Sequence, residues 1–365
     1  MENLKTSSSL ALVMVVKNEA ERLRRALNSM KGIVSEIVVA IDDTTTDASE
    51  EIARKFGAKI KPFKWRDDFS WARNFAQEGV VADWILVLDG HEYVEKFERL
   101  QEFLNKPVEA LLVPVELENG FTFYSPRIYR NGLTWKGGVH NNIKPKTTEF
   151  FPHFRVKHDR PSLKTSSSAT EREAQRDVMV PRVLRAELKK DPTNSRAYFH
   201  LGLFYEAHGK FRKALKFFRG YLRHSKDFQE RWFGRFHSAL CFDSMGRGLR
   251  AFWAVSRAES ELPGRWETEK LKGLILFHFK KYARALPHFV ASFELYNKIA
   301  MHHPWKRDDA HTWNLIGECF FNLFDFEKAH IAFSRASEQC KDDNQKKFYL
   351  ARAKLMHDII VKSCG

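Results

Sequence analysis

Between Leu10 and Leu88 the chain alternates short unbroken apolar runs with stretches whose apolar residues recur every three or four positions. The runs Leu10–Val16, Glu36–Ile41, Ala58–Phe63 and Trp84–Leu88 predict strands, and the last reads as buried on both faces. Leu23, Ala26, Leu27 and Met30 stand at helical spacing, and further helices are expected from about Glu50 to Phe56 and from near Phe69. Strand and helix in alternation predict an α/β domain with a mainly parallel sheet. Three of these strands then hand over to a polar cluster: Lys17-Asn18-Glu19, Asp42 to Ser49, and Asp89-Gly90-His91-Glu92. Such clusters lie at the carboxyl ends of strands, where open α/β sheets bind ligands. Another strand is expected at Leu111–Val115.

The period changes in the second half. A helix is expected from Glu171 to Lys190, closed by Asp191-Pro192, after a polar low-complexity stretch, residues 161–170, read as a linker. One template of large and small apolar residues then recurs around Ala214, Ala251, Ala285 and Ala329, which are 37, 34 and 44 positions apart. The fit is to TPR-like helix pairs, with an insertion around Asn297 to Asp309 and a capping helix from Lys346 to Val361. The expected organisation is a domain over 1–160, a linker and connecting helix over 161–192, and an all-α solenoid over 193–365.

Composition narrows the class. A chain of 365 residues with 31 Phe and 9 Trp buries enough apolar surface for two cores and is not a disordered chain. Its longest apolar runs fall short of the ~20 residues that span a bilayer, and Leu10–Val16 is too short for a signal peptide. The four cysteines follow neither disulfide nor zinc spacing, so the reading is a cytoplasmic protein with reduced thiols. The net charge of +15 is uneven: residues 1–160 hold 24 Lys/Arg against 23 Asp/Glu, whereas residues 161–307 hold 29 against 14. In Lys210–Lys213, Lys216–Arg223 and Arg231–His237 the cations interleave with aromatic residues. Each is accounted for singly as helix packing plus a solvated face; together they point to a polyanionic partner.

The residues that carry chemistry start with Asp89 and His91. Two apart across a glycine, a carboxylate and an imidazole can reach one divalent ion, and that donor pair suits Mn²⁺ better than Ca²⁺. The bland alternative is a polar turn with Asp89 as a cap.

Lys17-Asn18-Glu19, Asp42 with Thr46-Asp47, Asp68 to Asn74, and Trp84 to Glu92 resemble, in order and spacing, the family 2 glycosyltransferases of GT-A fold, most of all the branch with TPR repeats. That branch includes enzymes acting on peptides and on lipopolysaccharide core. The resemblance implies a UDP-sugar donor held by Lys17, Asn18, Glu19, Asp42, Asp47, Arg73 and Asp89. Asp42 would accept hydrogen bonds from uracil or ribose, Arg73 would lie near the base or diphosphate, and Asp89 would touch ribose and metal. The family's usual Asp-x-Asp is Asp89-Gly90-His91 here, similar to the Asp-x-His of polypeptide N-acetylgalactosaminyltransferases, so a divalent metal, Mn²⁺ or Mg²⁺, is expected on Asp89 and His91 with His158 or His140 as a third ligand. Arg127, Trp135, Gly138, His140 and Asn141 resemble the acceptor side of the same family, with Gly137 and Gly138 admitting a close backbone approach. Asn141 stands where the family often has Glu, so the catalytic base is sought among Asp159, Glu92 and His140.

The function expected is transfer of a hexose, glucose first, to a hydroxyl of a polyanion. Hydroxymethylated bases of DNA, as in phage genome modification, are the leading acceptor, in which case the cytoplasm is that of the host. The alternatives are a peptide side chain or lipopolysaccharide core, and a non-catalytic TPR scaffold with a decayed transferase domain.

Overall fold

The structure is a computed structural model that describes residues 8–118, 120, 122–159, 167–296 and 308–364. Residues 161–166 of the expected linker and 297–307 of the expected insertion lie outside the described residues. The chain divides into two compact units, Met1–Lys190 and Asp191–Gly365.

The first unit runs β1 (Leu10–Val16), α1 (Ala20–Ser29), β2 (Glu36–Asp42), α2 (Ser49–Lys55), β3 (Lys59–Phe63), α3 (Phe69–Gln77), β4 (Trp84–Asp89), β5 (Glu92–Phe97), α4 (Leu100–Leu104), β6 (Ala110–Glu116), β7 (Thr122–Arg130), β8 (Thr148–Phe150), β9 (Phe154–His158) and α5 (Ser167–Lys190). Its strands form one sheet in the order β3-β2-β1-β4-β7-β6-β9-β5, with β8 paired to β6. The half from β3 to β4 is parallel, as the alternating pattern requires. From β4 onward antiparallel pairings with β7, between β6 and β7 and between β5 and β9 make the sheet mixed rather than mainly parallel. It is the mixed sheet of a GT-A domain.

Burial on both faces explains the unbroken apolar runs. Leu10, Leu12, Met14 and Val16 of β1 and Trp84, Leu86 and Leu88 of β4 pack with Leu23, Ala26 and Leu27 of α1 on one side. Ala11, Val13, Ile85 and Val87 pack with Ala72 and Ala76 of α3 on the other. The register aligns Val15 of β1 with both Ala40 of β2 and Asp89 of β4, so the carboxyl ends of the three strands stand level. That alignment brings the polar clusters to one edge of the sheet.

The second unit is built of helix pairs: α6 (Ser195–Ala207) with α7 (Phe211–His224), α8 (Phe228–Ser244) with α9 (Gly248–Glu261), α10 (Trp266–His278) with α11 (Tyr282–Tyr296), and α12 (Asp309–Asn322) with α13 (Phe326–Gln339), followed by α14 (Asp343–Cys364). This is the expected TPR-like array with its last helix extended. One contact recurs at the same sequence offset. A Cβ on Gly202, Gly273 or Gly317 would lie within 2.4–2.7 Å of the ring of Phe218, Phe289 or Phe333 respectively. In the second pair Ala239 and Val255 occupy the equivalent positions, a larger residue facing a smaller one, both fully buried. Gly273→Ala is therefore expected to lower stability by about 1–3 kcal/mol through overpacking, read as a lowered urea midpoint for the helical signal.

Helix α10 is buried all along Trp266–Gly273, and most of its charges are paired inside, Arg265 with Glu267 at 2.7 Å and Glu269 with His288 at 2.6 Å and Lys272 at 2.8 Å, while Lys270 reaches the Asp308 carbonyl at 3.5 Å. Burial alone would raise the Glu269 carboxyl, but its hydrogen bonds to His288 and Lys272 hold it down to about 2. A depressed carboxyl contributes stability above its unfolded pKa and loses it as pH falls through the folded value. Stability measured from about pH 4.5 down to 2 should fall less steeply in Glu269→Gln than in the parent.

Candidate active site

The site starts from the loops after β1 and β2. Asn18 takes a left-handed conformation (φ 51°), and its Oδ1 accepts the Thr46 N–H at 2.8 Å. Asp47 binds two helix starts at once: Oδ2 accepts the Ala20 N–H of α1 at 2.8 Å, and Oδ1 accepts the N–H and hydroxyl of Ser49 at the head of α2. Burial would raise this carboxyl; the Ser49 hydroxyl and the Ala20 and Ser49 amides outweigh it and keep it below the ordinary aspartate value. Asp42, buried at the tip of β2, takes the N–H and hydroxyl of Thr44 on Oδ1, while Oδ2 lies 3.7 Å from the half-exposed Lys17 ammonium. Asp42 thus closes a turn on Thr44, Asp47 ties the two helix starts, and one Asp42 oxygen is left facing Lys17.

Behind them α3 carries Arg73 to Asp89. Its Nη2 donates to Asp89 Oδ1 at 2.6 Å, its guanidinium stacks over Trp135 at 4.8 Å, and its Nε and Nη1 are buried without an acceptor among the described residues. Burial would raise Asp89, but Arg73, Arg127 and His91 together hold it well below the usual carboxylate range. Gly90 allows the turn that follows: a Cβ there would stand 2.7 Å from Glu19 Cγ.

Beneath the turn lies a closed ionic network. Glu92 is fully buried, with Oε1 2.5 Å from Arg127 Nη2 and 2.8 Å from His158 Nε2, and Oε2 accepting the Asp89 N–H at 2.9 Å. The His91 ring meets the His158 ring edge-on at 4.9 Å, and His91 Nδ1 is 3.8 Å from Glu19 Oε1. Burial works against the Arg127 charge, yet Glu92 and Asp89 outweigh it and raise its pKa.

Several expected residues therefore sit together: Lys17, Asn18, Glu19, Asp42 and Asp47 on one loop pair, and Arg73, Asp89, His91 and His158 around the end of β4. Others are corrected. Glu92, sought as a base, is walled in with both oxygens engaged and has no route to a substrate proton. Arg127, expected to touch acceptor, is buried on Glu92. Trp135 is buried too, with Nε1 donating to Tyr129 at 2.8 Å and its backbone bonded to Asn74. Gly138 approaches protein rather than ligand, since a Cβ would meet Val183 of α5 at 2.8 Å, and its N–H donates to Glu187 at 2.6 Å. His140 is exposed in a left-handed turn (φ 51°), and Asn141 is half-buried beside it. Asp159 pairs with Arg25 at 2.9 Å while its N–H bonds the His91 carbonyl. Among the described residues no three of His, Cys, Asp and Glu stand together as a self-sufficient metal site.

Residues the sequence reading passed over complete the frame. Ser49 joins the α1 and α2 loops, and its place two after Asp47 is a capping signal that was available. The Gln77–Tyr129–Trp135 chain that supports the Arg73 platform left no signal, because its members lie 52 and 6 positions apart.

Residues 11–162 match the model of Glycosyl transferase family 2, and the first unit carries a domain of that family. The chain is 40% identical over 131 residues to a TPR repeat-containing protein of Synechococcus elongatus, covering 34% of this chain and 32% of that one. It is 38% identical to an uncharacterized glycosyltransferase of Rickettsia felis over 24% of this chain and 30% of that one. It is 27% identical over 236 residues to the SPbeta prophage-derived glycosyltransferase SunS of Bacillus subtilis, covering 60% of this chain and 54% of that one. The matches thus span between 30% and 54% of these relatives' own lengths.

Proposed function

We propose that the chain is a hexosyltransferase that moves a sugar, glucose first, from a UDP-sugar to a hydroxyl of a polyanionic acceptor. The observation that carries the donor half is Arg73: a buried guanidinium with one nitrogen on Asp89 and the other two lacking an acceptor among the described residues, at the same strand ends as Asp42 and Lys17. Buried donors left unmade cost about 1–3 kcal/mol each, and an anion restores them. The Asp42 oxygen that faces Lys17 is an acceptor for a base or ribose donor, and the half-exposed Lys17 is a cation for phosphate.

Asp89 and His91 fit a divalent ion as two donors of mixed oxygen and nitrogen type, with further positions left to the donor's phosphates; bound there, Mn²⁺ or Mg²⁺ supplies Lewis-acid charge to the leaving diphosphate. His158 fixes the His91 ring from the side. Glu92, held by Arg127, holds the Asp89 N–H and so sets the turn. Of the three carboxylate or imidazole bases considered, Asp159 is the one assigned here: it is half-exposed, follows His158 and is bonded to the His91 backbone. His140 and Asn141 are assigned to the acceptor.

For the acceptor, the basic excess of the repeats favours DNA carrying hydroxymethylated bases, a base that must leave the stack to react. A peptide side chain or lipopolysaccharide core is the second reading, the one that the resemblance to the family 2 branch with TPR repeats implies. Free cysteines Cys241, Cys319 and Cys340 agree with a reducing compartment, the cytoplasm, that of the host if the chain is phage-encoded. Among the described residues no helix is long and apolar enough to cross a membrane.

The test is UDP release and acceptor mass shift with a panel of UDP-sugars, Mn²⁺ or Mg²⁺, hydroxymethylcytosine DNA, peptide and core oligosaccharide. No UDP release under any condition would favour the scaffold reading. His91→Ala is expected to lower Mn²⁺-dependent turnover by at least about 10–100-fold, and unchanged turnover removes His91 from the metal shell.

A further inference from the structure

The basic excess has a location. Helices α7, α8 and α9 enclose a cleft of about 480 Å³ lined by Arg212, Lys216, Arg219, Arg235, Arg247 and Arg250, with an aliphatic and aromatic floor. No carboxylate lines it. Arg235 is neutralised by Glu261 at 2.9 Å, whereas the other five cations form no ion pair among the described residues. On the rim stands Trp253, 59% exposed, with Arg257 5.4 Å from its ring centre.

Five unpaired like charges around one small cleft repel one another, and an anion relieves that repulsion. The chemistry of the lining says which anion. Every charged group in it is a donor, the Trp253 indole is a donor, and the one other polar side chain, Ser238, gives its hydroxyl to the Gly234 carbonyl. The helix backbone is bonded to itself. An acidic peptide brings one backbone N–H per residue, and this cleft offers those N–H groups little to bond with. A phosphodiester chain brings acceptors only, and guanidinium forks fit phosphate oxygens in pairs. An exposed indole beside the cations provides a stacking platform for a base, which an unpaired strand presents and a duplex, its bases paired and stacked, does not.

We propose that the α7–α9 cleft binds single-stranded nucleic acid, its phosphates on the arginines and one base on Trp253. The proposal rests on the reading of the acceptor as a polyanion and names both the surface and the form of nucleic acid it takes. The cleft is a binding surface, and no bond is made or broken there.

The test uses the full chain and fluorescence anisotropy with a labelled oligothymidylate, a duplex of matched length and an acidic peptide of matched charge, across a salt series. The single strand is expected to bind more tightly than either, with log K falling against log salt by about 0.7 per phosphate engaged. Arg219→Glu with Arg250→Glu should weaken oligothymidylate binding at least tenfold and reduce the salt slope by roughly 1.4. The same charge change away from the cleft, at Lys341→Glu with Lys354→Glu, should do neither. Trp253→Ala should narrow the preference for single strand over duplex. Unfolding is controlled by circular dichroism, and Arg219→Gln with Arg250→Gln should weaken binding in the same direction with less charge disturbance. Oligothymidylate binding unchanged in the cleft variants, or peptide bound as tightly as the strand, overturns the proposal. UDP release from UDP-sugar without acceptor should be the same in parent and cleft variants, so loss of strand binding with UDP release intact speaks to the cleft alone, whereas absence of UDP release in the parent speaks to the donor reading.

Discussion

Asp89→Asn is expected to lower UDP-sugar turnover by about 10²–10³-fold while leaving the protein folded. The exchange keeps the volume of the side chain and its ability to accept from Arg73 but removes the charge. That charge is the centre of the site's electrostatics: Arg73 lies 2.6 Å away, and Arg73, Arg127 and His91 together keep the carboxyl ionised far below neutral pH. Without it the two guanidinium groups face each other across an amide, and a divalent ion loses its anionic protein ligand. Steady-state release of UDP, with and without Mn²⁺, reads the effect, and a circular dichroism melt checks the fold. Retention of more than about a tenth of parental turnover would contradict the placement of the donor site at the end of β4.

The second large effect is on stability. Glu92→Ala should cost about 3–5 kcal/mol, because it strands Arg127 in the interior, removes the acceptor for the Asp89 N–H and takes away the carboxylate beside the His158 ring. Replacing both partners, Glu92→Leu with Arg127→Met, should recover a good part of that loss, since an apolar pair of similar volume does not carry the desolvation of two ions. Urea unfolding monitored by amide hydrogen exchange in β4 and β7 separates this transition from that of the repeats, whose own tryptophans would contribute to a fluorescence signal. A single variant that unfolds at the parental midpoint would mean that the network tolerates an uncompensated charge, and the interior described here would be wrong. The double variant should still lose turnover, because the turn that carries Asp89 and His91 is no longer tied from below.

Both effects originate in residues that the sequence marks in different degrees. The parallel half of the sheet, its helices and the polar strand ends were legible because an unbroken apolar run such as Trp84–Leu88 has one economical explanation, a strand covered on both faces. Of the antiparallel half only Leu111–Val115 was, as β6. Glu92–Phe97, with Glu, Tyr, Glu and Lys among six residues, is an edge strand whose apolar signal is a single buried position, Val94, and β8 is three residues long. Within the site, Asp42, Asp89 and His91 were visible as polar residues at strand ends. The use made of Glu92 was not, because a carboxylate next to a ligand motif reads as chemistry until its burial and its partner 35 positions away are known. Gly138 was misread for a related reason: two glycines in a row mark a close approach without saying to what, and the neighbour is Val183 in a helix that begins within the polar stretch, at Ser167.

That helix also decides how the molecule divides. Arg182 of α5 forms an ion pair with Asp67, in the loop leading into α3, and Glu187 receives the Gly138 N–H, whose carbonyl in turn takes the Phe69 N–H that opens α3. A fragment ending at residue 160, where the sheet is complete, would leave the head of α3 unbraced, and α3 is the element that delivers Arg73. Excision of a working catalytic portion therefore has to keep the chain through Lys190, and limited digestion that clips after α5 should release a piece that still hydrolyses UDP-sugar, while clipping before it should not.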